Sequence, residues 1–443
     1  MKTDLRLTDE WQSCIHERAE NYSTKMRFKL KTLYLLGVMP LLLSCKSNGS
    51  AVLPQQKMDY IVGQFERTLN ETDDPTKIPR SISNNGDLVT SGIFGWTSGF
   101  FSGSLWYLYE LSPDERWKEE AIRWTEILEP VQYVTNDHDI GFMINCSYGN
   151  GYRITKNETY RKILIQAATS LSQRYNPMVK SIKSWNRKKS WDGKTIWHYP
   201  VIIDNMMNLE LLFEASKLSG DPAFRNIAVE HAMTTMKNHY RKDFSSYHMV
   251  NYDPKTGEVL NKATVQGFAD ESSWARGQAW GLYGFVVCYR YTGNKRFLEF
   301  AENIANYILN HPELPEDLVP YWDFDVKNTS LRPEWNYEPR MFKEIPRDAS
   351  AAAITCSALL ELGLYSEKYG KGYIIKADEI IRSLSSPTYM DSANNKYFIL
   401  NHSVGSIPHG AEIDIPLVYA DYYFLEALVR KNRMQQNGNS YKF

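Results

Sequence analysis

The sequence predicts an all-α protein, an (α/α)6 barrel of six helical hairpins. Long helical patterns recur along the chain, short polar turns divide them into pairs, and each pair joins a mostly apolar helix to an amphipathic one, as in 206–218 followed by 223–237. An apolar helix needs burial on all sides whereas an amphipathic helix can face water, so we expect the apolar helices to form an inner ring enclosed by the others. No alternation of strands and helices indicates a parallel sheet.

Five turns define the pairs, and an aromatic residue follows each of them. Their small and polar residues are typical of a helix C-cap followed by the next N-cap. Their irregular spacing excludes a solenoid with a strict period. The turns are 111–114, 155–158, 219–222, 292–294 and 366–368.

We expect one barrel domain from 54 to 432, with a tether at 46–53 before it and a polar tail at 433–443 after it. The stretch 310–346 holds six prolines and is open to interpretation as a linker between two domains. Because the aromatic residues of this stretch would be exposed to water in a solvated linker, we interpret it as a long loop over one mouth of the barrel.

Residues 1–45 are interpreted as an N-terminal extension followed by a lipoprotein signal peptide, with Met26 as the expected start. A basic stretch precedes an apolar run at 33–43, which is shorter than the ~20 residues that cross a bilayer. The letters LLSC at 42–45 resemble a bacterial lipobox. We therefore expect Cys45 to be a lipid anchor, and the only membrane contact, of a cell-envelope protein that faces the periplasm. An ordinary signal peptide with an incidental cysteine is the alternative.

The composition excludes several classes of protein. The 51 Lys and Arg residues against 52 Asp and Glu leave no basic field for a nucleic acid. The 5 cysteines form no CxxC pair, which excludes a zinc ribbon or a small disulfide scaffold, and we expect neither a metal nor a cofactor. The 12 Trp and 29 Tyr residues suit a protein that handles sugars.

A polar cluster at 136–142 holds Asp137, His138 and Asp139 at the head of an apolar stretch. Helix capping by one of the aspartates accounts for it without chemistry, and adjacent acids around a histidine also permit a metal site. The metal interpretation is weak because no complementary ligand cluster occurs elsewhere in the sequence. Gly141 allows another group to approach the backbone closely.

Asp204 follows Pro200, which is predicted to begin a helix that is otherwise almost wholly apolar. Burial raises the pKa of a carboxyl by up to about 3–5 units, whereas the helix N-terminus opposes this with only about 1 kcal/mol. We therefore expect a raised pKa and a carboxylic acid that donates a proton near neutral pH. A buried aspartate bonded to Asn208 or to nearby backbone is an equally good interpretation.

The segment 266–283 predicts a helix on which Arg276, Trp280 and Tyr283 share one face. Such a face suits a clamp in which the guanidinium binds a carboxylate and the indole packs on the ring that carries it. A structural ion pair of Arg276 with Asp270 or Glu271 is the alternative.

Five motifs together resemble glycoside hydrolase family 88, the unsaturated glucuronyl hydrolases. They cover essentially the whole expected domain, and five motifs in the right order are far more specific than any one of them. The resemblance implies a barrel of six helical hairpins. The motifs are GWTSGF at 95–100, HDIGF at 138–142, IDNMMN at 203–208, WARGQAW at 274–280 and YADYYFLEAL at 419–428.

The resemblance implies a substrate left by polysaccharide lyases, an oligosaccharide that ends in a uronate with a C4=C5 double bond. Hydration would protonate C4 and add water at C5, and the hemiketal would open and release the rest of the chain. By its match Asp204 is the general acid and base. Asp139 matches the second essential aspartate, which we expect to bind sugar hydroxyls without forming a covalent intermediate. The other expected substrate-binding residues are Trp96, His248, Thr264, Gln266, Arg276 and Trp280.

The expected function is therefore a glycoside hydrolase that releases the unsaturated glucuronyl residue from glycosaminoglycan disaccharides. Three alternatives stay open: a hydrolase of unsaturated rhamnogalacturonyl groups from pectin fragments, a non-catalytic sugar-binding lipoprotein, and a sugar epimerase, against which the paired aspartates argue. Some family members carry a late Ser-x-x-Ser-x-Lys sequence near the second sugar. Here Ser403 and Ser406 are followed by Pro408 in place of the lysine, so a sulfate would be met by backbone N–H groups, His402 or His409.

Overall fold

The computed structural model describes residues 52–338, 342–391 and 395–437, and these residues form the predicted (α/α)6 barrel. The helices are α1 (Gln55–Glu71), α2 (Ser98–Leu111), α3 (Glu115–Glu126), α4 (Ile140–Ile144), α5 (Asn150–Thr155), α6 (Glu158–Ser172), α7 (Asn205–Ser219), α8 (Pro222–Asn238), α9 (Ala275–Thr292), α10 (Lys295–Leu309), α11 (Ala349–Tyr365), α12 (Gly370–Leu384) and α13 (Val418–Asn437).

The inner ring consists of α2, the α4–α5 pair joined by a π turn at Asn145–Gly149, α7, α9, α11 and α13. Each inner helix contacts the next and α13 contacts α2, so the ring is closed. In α11 every residue from 349 to 362 is buried, whereas the outer α10 buries a single stripe of residues that includes Phe297, Ala301 and Ile304. This contrast is the physical reason for two concentric rings.

All five predicted turns separate an inner helix from an outer one. Four outer helices begin at a side-chain cap that accepts a backbone N–H two residues on, which satisfies one of the free N–H groups of the first turn. The sixth outer helix is α1, whose Gln64 donates to the carbonyl of Asn395 at 3.0 Å and whose Phe65 stacks on Phe101. The capping residues are Asp114, Asn157, Asp221 and Asn294.

Small antiparallel sheets, which the sequence did not predict, lie in the connections that lead to the inner helices. Their strands are β1 (Ile78–Ile82), β2 (Leu88–Ser91), β3 (Tyr175–Asn176), β4 (Ser181–Ile182), β5 (Lys188–Lys189), β6 (Ile196–Trp197), β7 (Pro200–Ile202), β8 (Met249–Tyr252), β9 (Val259–Ala263), β10 (Ser403–Ser406) and β11 (Ala411–Ile415). Because strands of two to five residues are too short to show a period, only the tertiary structure defines them.

The N-terminal ends of the inner helices form one mouth of the barrel, and an ion-pair network lines a cavity of about 640 Å³ at the other end. Glu361, which is fully buried, accepts two hydrogen bonds of 2.6 Å from Arg290 and lies 3.0 Å from Arg430. Burial alone would raise the pKa of Glu361, but the two arginines outweigh it and lower the pKa. Tyr283 donates to Glu426 at 3.0 Å in this network, so it does not share a site with Arg276 as predicted.

The described part of the proline-rich stretch, 310–338 and 342–346, packs on the barrel. It connects α10 to α11 and packs on the segment before α9, where Trp335 donates its indole N–H to the carbonyl of Phe268 at 2.9 Å. Trp322 in the same stretch is fully buried.

The predicted domain limits shift slightly. Leu53 is buried in the body and not part of a tether, and α13 runs to Asn437, where Arg433 pairs with Glu110. The helix continues because this contact and the buried Met434 hold its last turns. The interpretations of 1–45 and of Cys45 lie outside the described residues. Within the described ranges, no helix is long and apolar enough to cross a membrane.

Candidate active site

Asp204 lies at the barrel mouth as the N-cap of α7. The prediction that it lies inside a helix begun by Pro200 is wrong, because Pro200 pairs in β7 and the helix begins at Asn205. The Asp204 side chain is 14% exposed, makes no capping hydrogen bond, and places Oδ2 3.8 Å from His248 Nε2. The carboxylate therefore does not cap its own helix and is partly open at the barrel mouth.

His248 is held in one orientation by the backbone. Its Nδ1 accepts the N–H of Val265 at 3.0 Å, and burial lowers its pKa to about 3. The ring is therefore neutral near neutral pH, and the remaining hydrogen is on Nε2, which faces Asp204. His248 thus presents a donor to the carboxylate without adding a positive charge.

Asn208 joins the two aspartates. One turn after Asp204, it donates from Nδ2 to Asp139 Oδ1 at 3.3 Å and accepts the Phe142 N–H at 3.0 Å. Gly141 makes this contact possible, because a Cβ there would lie 2.4 Å from Asn208 Oδ1 and 2.6 Å from its Cα. The close approach expected at Gly141 is therefore the contact between α4 and α7.

Neither aspartate of the 137–139 cluster caps α4 through its side chain. Asp139 is the N-cap residue but makes no capping hydrogen bond, and Asp137 accepts the Asp139 N–H at 2.9 Å. The Asp139 carboxylate, 16% exposed, is partly open at the barrel mouth and accepts a hydrogen bond from Asn208.

His138 lies between the two carboxylates. Its Nε2 is 3.3 Å from Asp139 Oδ1 and its Nδ1 is 3.4 Å from Asp137 Oδ1. Ligand-type atoms of the three residues lie within 4.8 Å of one another. However, the two nitrogens face different carboxylates, which favours a charge-paired histidine over a metal ligand. Burial alone would lower the pKa of His138, but the carboxylates outweigh it and raise the pKa.

Both aspartates hold protons more tightly than usual. Burial raises the pKa of Asp204 to about 6, against the opposing charges of Arg276 and His138. Burial raises the pKa of Asp139 to about 7, with His138 opposing and Asp204 adding repulsion. The raised pKa of Asp204 agrees with the prediction, whereas that of Asp139 was not predicted. Burial therefore lets each carboxyl hold a proton closer to neutral pH than a solvated aspartate does.

Arg276 is 1% exposed and its guanidinium is held by the protein. Nη1 donates to Asp348 Oδ2 at 3.1 Å and to the carbonyl of Val404, and Nη2 donates to the carbonyl of Gly405 at 2.6 Å. The alternative of a bridge to 270–271 is therefore wrong. The Nε atom of Arg276 has no hydrogen-bond partner among the described residues.

Trp280 does not pack on a ligand as predicted. It is fully buried, with its ring centroid 5.2 Å from that of Phe142 and 5.4 Å from that of Tyr423. Only its indole N–H reaches the site, where it lowers the pKa of Asp204. The inner ring is too tightly packed at this level to leave an indole face open.

The other predicted residues are placed at different depths. Trp96 is partly exposed at the rim, with its ring 5.0 Å from Tyr419. Gln266 lies beside His248, whose pKa it raises against the larger effect of burial, and donates from Nε2 to the carbonyl of Gly405 at 3.4 Å. Thr264 is buried and its hydroxyl accepts the Gly267 N–H at 2.7 Å, so it holds the turn before α9.

Three further residues belong to the site that the sequence analysis did not assign to it. Asn208 was detectable from its spacing of four from Asp204. Asp348 was detectable as a cap before an apolar helix, although not as the partner of Arg276. Trp185, whose ring lies 6.5 Å from His138 and 6.3 Å from the His248 ring, carries no sequence signal because it comes from an irregular connection.

A closed α/α barrel with two carboxyl groups of raised pKa at its mouth suits acid–base hydrolysis of a carbohydrate. The model of Glycosyl Hydrolase Family 88 matches residues 68–310. The chain belongs to this family and is a glycoside hydrolase, which confirms the resemblance seen in the motifs.

Relatives match over nearly the whole chain. The unsaturated glucuronyl hydrolase of Formosa agariphila is 42% identical over 92% of this chain and 99% of its own length. The unsaturated chondroitin disaccharide hydrolase of Streptococcus agalactiae is 34% identical over 76% of this chain and 81% of its own. A crystal structure of an unsaturated glucuronyl hydrolase specific for heparin superposes with a TM-score of 0.79 at 45% identity, covering 86% of this chain and 97% of that one.

Proposed function

We propose that this protein hydrolyses unsaturated glucuronyl disaccharides derived from glycosaminoglycans, by hydration of the C4=C5 bond. The observation that carries the proposal is the pair of Asp204 and Asp139, two partly exposed carboxyls with raised pKa values, tied together by Asn208 at one mouth of the barrel. The relatives that match this chain carry names of the same activity.

The chemistry requires one group that gives a proton to carbon and accepts one from water. An enol ether is protonated at C4, and the cation so formed at C5 accepts the oxygen of water. Asp204 suits both steps, since a pKa of about 6 leaves both forms accessible near neutral pH. The Nε2–H of His248 faces the same carboxylate and stabilises its charged form after the proton has left.

Asp139 has a supporting role in this proposal. It is fixed on one side by His138 and on the other by Asn208, which suits a residue that binds sugar hydroxyls at a set position. Arg276 contributes a buried positive charge near Asp204, where a carboxylate of the substrate would be attracted.

The test is Asp204→Asn, assayed by loss of the ultraviolet absorbance of the conjugated double bond. We expect kcat to fall by about 10²–10⁴-fold, since general acid–base catalysis is worth that much, while binding of the disaccharide by calorimetry persists. The matched control is Asp221→Asn, because Asp221 caps the outer helix α8 and asparagine caps equally well. A wild-type protein that turns over no glycosaminoglycan disaccharide would refute the proposal, and turnover of pectin fragments instead would assign the other substrate.

We propose further that the protein is a lipid-anchored component of the bacterial cell envelope, facing the periplasm. The support is the basic stretch, the short apolar run and the LLSC spelling at 42–45. Cys45→Ser is expected to abolish labelling by a fatty acid and to move the protein out of the membrane fraction. Cys14→Ser, which changes a cysteine before Met26, is expected to leave both unchanged; labelling that survives Cys45→Ser would contradict the anchor.

A further inference from the structure

The cavity of about 640 Å³ at the far end of the barrel has no part in the proposed function. It is lined by the C-terminal halves of the inner helices, including Tyr107 of α2, Leu218 of α7 and Tyr291 of α9. Sites for small molecules occupy about 300–1,000 Å³. The far end of the barrel therefore has room for a ligand of its own.

A layer of aromatic rings separates this cavity from Asp204. The ring of Trp280, whose indole N–H reaches Asp204, lies 5.4 Å from that of Tyr423. Tyr423 in turn packs on Tyr422 at 4.9 Å, and Tyr422 lines the cavity. All three rings are buried, and neither Asp204 nor Asp139 lines the cavity. A ligand held there is therefore separate from the substrate that reaches the two aspartates.

The arginines that line the cavity are already neutralised. Among the described residues there, each of them pairs with a glutamate; the pairs are Arg153 with Glu110, Arg290 with Glu210 and Glu361, Arg430 with Glu361 and Glu426, and Arg433 with Glu110. Lys217 pairs with Glu214, and Lys156 is exposed to solvent. A bound anion would compete with these carboxylates, whereas a hydroxyl group can both donate to a carboxylate and accept from a guanidinium. The charges therefore favour a neutral polar ligand.

Asn145 supplies an acceptor that lacks a donor. Its Oδ1 is buried in the wall of the cavity, and no group of the described residues donates a hydrogen bond to it. A buried acceptor without a partner is unfavourable. A hydroxyl group of a ligand can donate to this oxygen, whereas an anion such as sulfate has no hydrogen to give. Asn145 thus favours the same class of ligand as the surrounding charges.

The backbone next to Asn145 leaves room for its carboxamide. Asn145–Gly149 is the π turn, and single π turns are frequent at functional sites. A Cβ at Gly149 would lie 2.7 Å from Asn145 Oδ1, although the φ of −61° at Gly149 is helical and open to any residue. Glycine at this position therefore serves the placement of the carboxamide and not the backbone conformation.

We propose that this cavity is a second carbohydrate site, which binds a neutral sugar of one or two rings. Asn145 Oδ1 accepts a sugar hydroxyl, and the partly exposed pair of Arg290 and Glu210 supplies a donor and an acceptor to others. The partly exposed ring of Tyr152 lines the same cavity and packs on the C–H groups of the sugar. This inference goes beyond the proposed function and does not depend on it, because no residue of the cavity takes part in the hydration.

The test is titration calorimetry of the intact protein with maltose and with N-acetylglucosamine. We expect at least one of these sugars to bind to the wild type. Asn145→Leu keeps the size of the side chain and removes the acceptor, and it is expected to raise the dissociation constant about fivefold, as the loss of one neutral hydrogen bond does. Gly149→Ala is expected to act in the same direction, because the added Cβ displaces the carboxamide.

The matched control is Gly372→Ala, in which no atom lies within 4 Å of the added Cβ, and its dissociation constant is expected to equal that of the wild type. Asp204→Asn is also expected to bind the sugar as the wild type does, and Asn145→Leu is expected to keep wild-type turnover of the disaccharide. Failure of both sugars to bind, binding that Asn145→Leu leaves unchanged, or binding lost in Asp204→Asn overturns this inference alone. A protein that binds the sugar as expected and turns over no disaccharide overturns only the proposed function.

Discussion

Replacing Gly141 with alanine separates the geometry of the site from its chemistry, because no catalytic group is changed. The added Cβ would lie 2.4 Å, 2.6 Å and 2.8 Å from Oδ1, Cα and Cβ of Asn208. The Cα atom belongs to the backbone of α7 and the Cβ atom is bonded directly to it, so rotation of the Asn208 side chain does not relieve the overlap. The α4 and α7 N-termini, which carry Asp139 and Asp204, must therefore move apart.

Two costs combine in this variant. Overpacking of a tight interior costs about 1–3 kcal/mol. Separation also weakens the hydrogen bond from the Phe142 N–H to Asn208, and an unsatisfied buried N–H costs about 1–3 kcal/mol. We expect the free energy of unfolding to fall by about 3 kcal/mol and kcat/KM to fall by about 10²-fold, since a displacement of about 1 Å has that effect on a positioned catalytic group.

The assay is urea unfolding followed by circular dichroism, together with disaccharide turnover by the folded variant. The control is Gly372→Ala in α12, where no atom lies within 4 Å of the added Cβ. That variant is expected to gain about 0.5–1 kcal/mol from the lower flexibility of the unfolded chain and to keep full activity. If Gly141→Ala unfolds and turns over like wild type, the close contact between α4 and α7 does not position the two aspartates.

Asp204→Asn is expected to stabilise the protein at pH 8 and not at pH 4. The folded-state pKa of about 6 lies above the unfolded value of about 3.9, so the carboxyl destabilises the fold increasingly as pH rises through that window, by roughly 3 kcal/mol when complete. Urea unfolding at both pH values measures this, and equal stability at pH 8 would show that the carboxyl is not desolvated. Asp348→Asn removes the charge that pairs with buried Arg276, and we expect it to lower the free energy of unfolding by about 3–5 kcal/mol and to raise KM. The control Ser350→Ala removes one hydroxyl from the same helix cap, and we expect it to lower the free energy of unfolding by only about 1 kcal/mol. A KM unchanged in Asp348→Asn would contradict the role of Arg276 in attracting the substrate.

The helical hairpins were readable from the sequence because they depend on local patterns. The cap at Asp221 and the apolar run after Asp204 are properties of neighbouring residues, and they appear in the structure where the patterns place them. The start of α7 was misplaced because Pro200 also suits a strand edge, and the partner that draws it into β7 is Asn251, 51 residues further along the chain.

The direction of the Asp204 pKa was also predictable, since it follows from placing a carboxyl among apolar residues. The role of Trp280 was not. Spacing shows that it shares a face with Arg276, but whether that face meets ligand or protein depends on Phe142 and Tyr423, which come from other inner helices.

The sequence by itself determined the barrel, the family and the two aspartates, because helix periodicity, capping and motifs are encoded within short stretches of chain. The tertiary structure decided what each polar group is free to do. It pairs Arg276 with Asp348 and brings the Gly267 N–H to the hydroxyl of Thr264. It also leaves Lys188 without a carboxylate partner among the described residues. The physical reason is that hydrogen bonding and desolvation depend on atoms brought together from distant segments, and no local pattern records which of them meet.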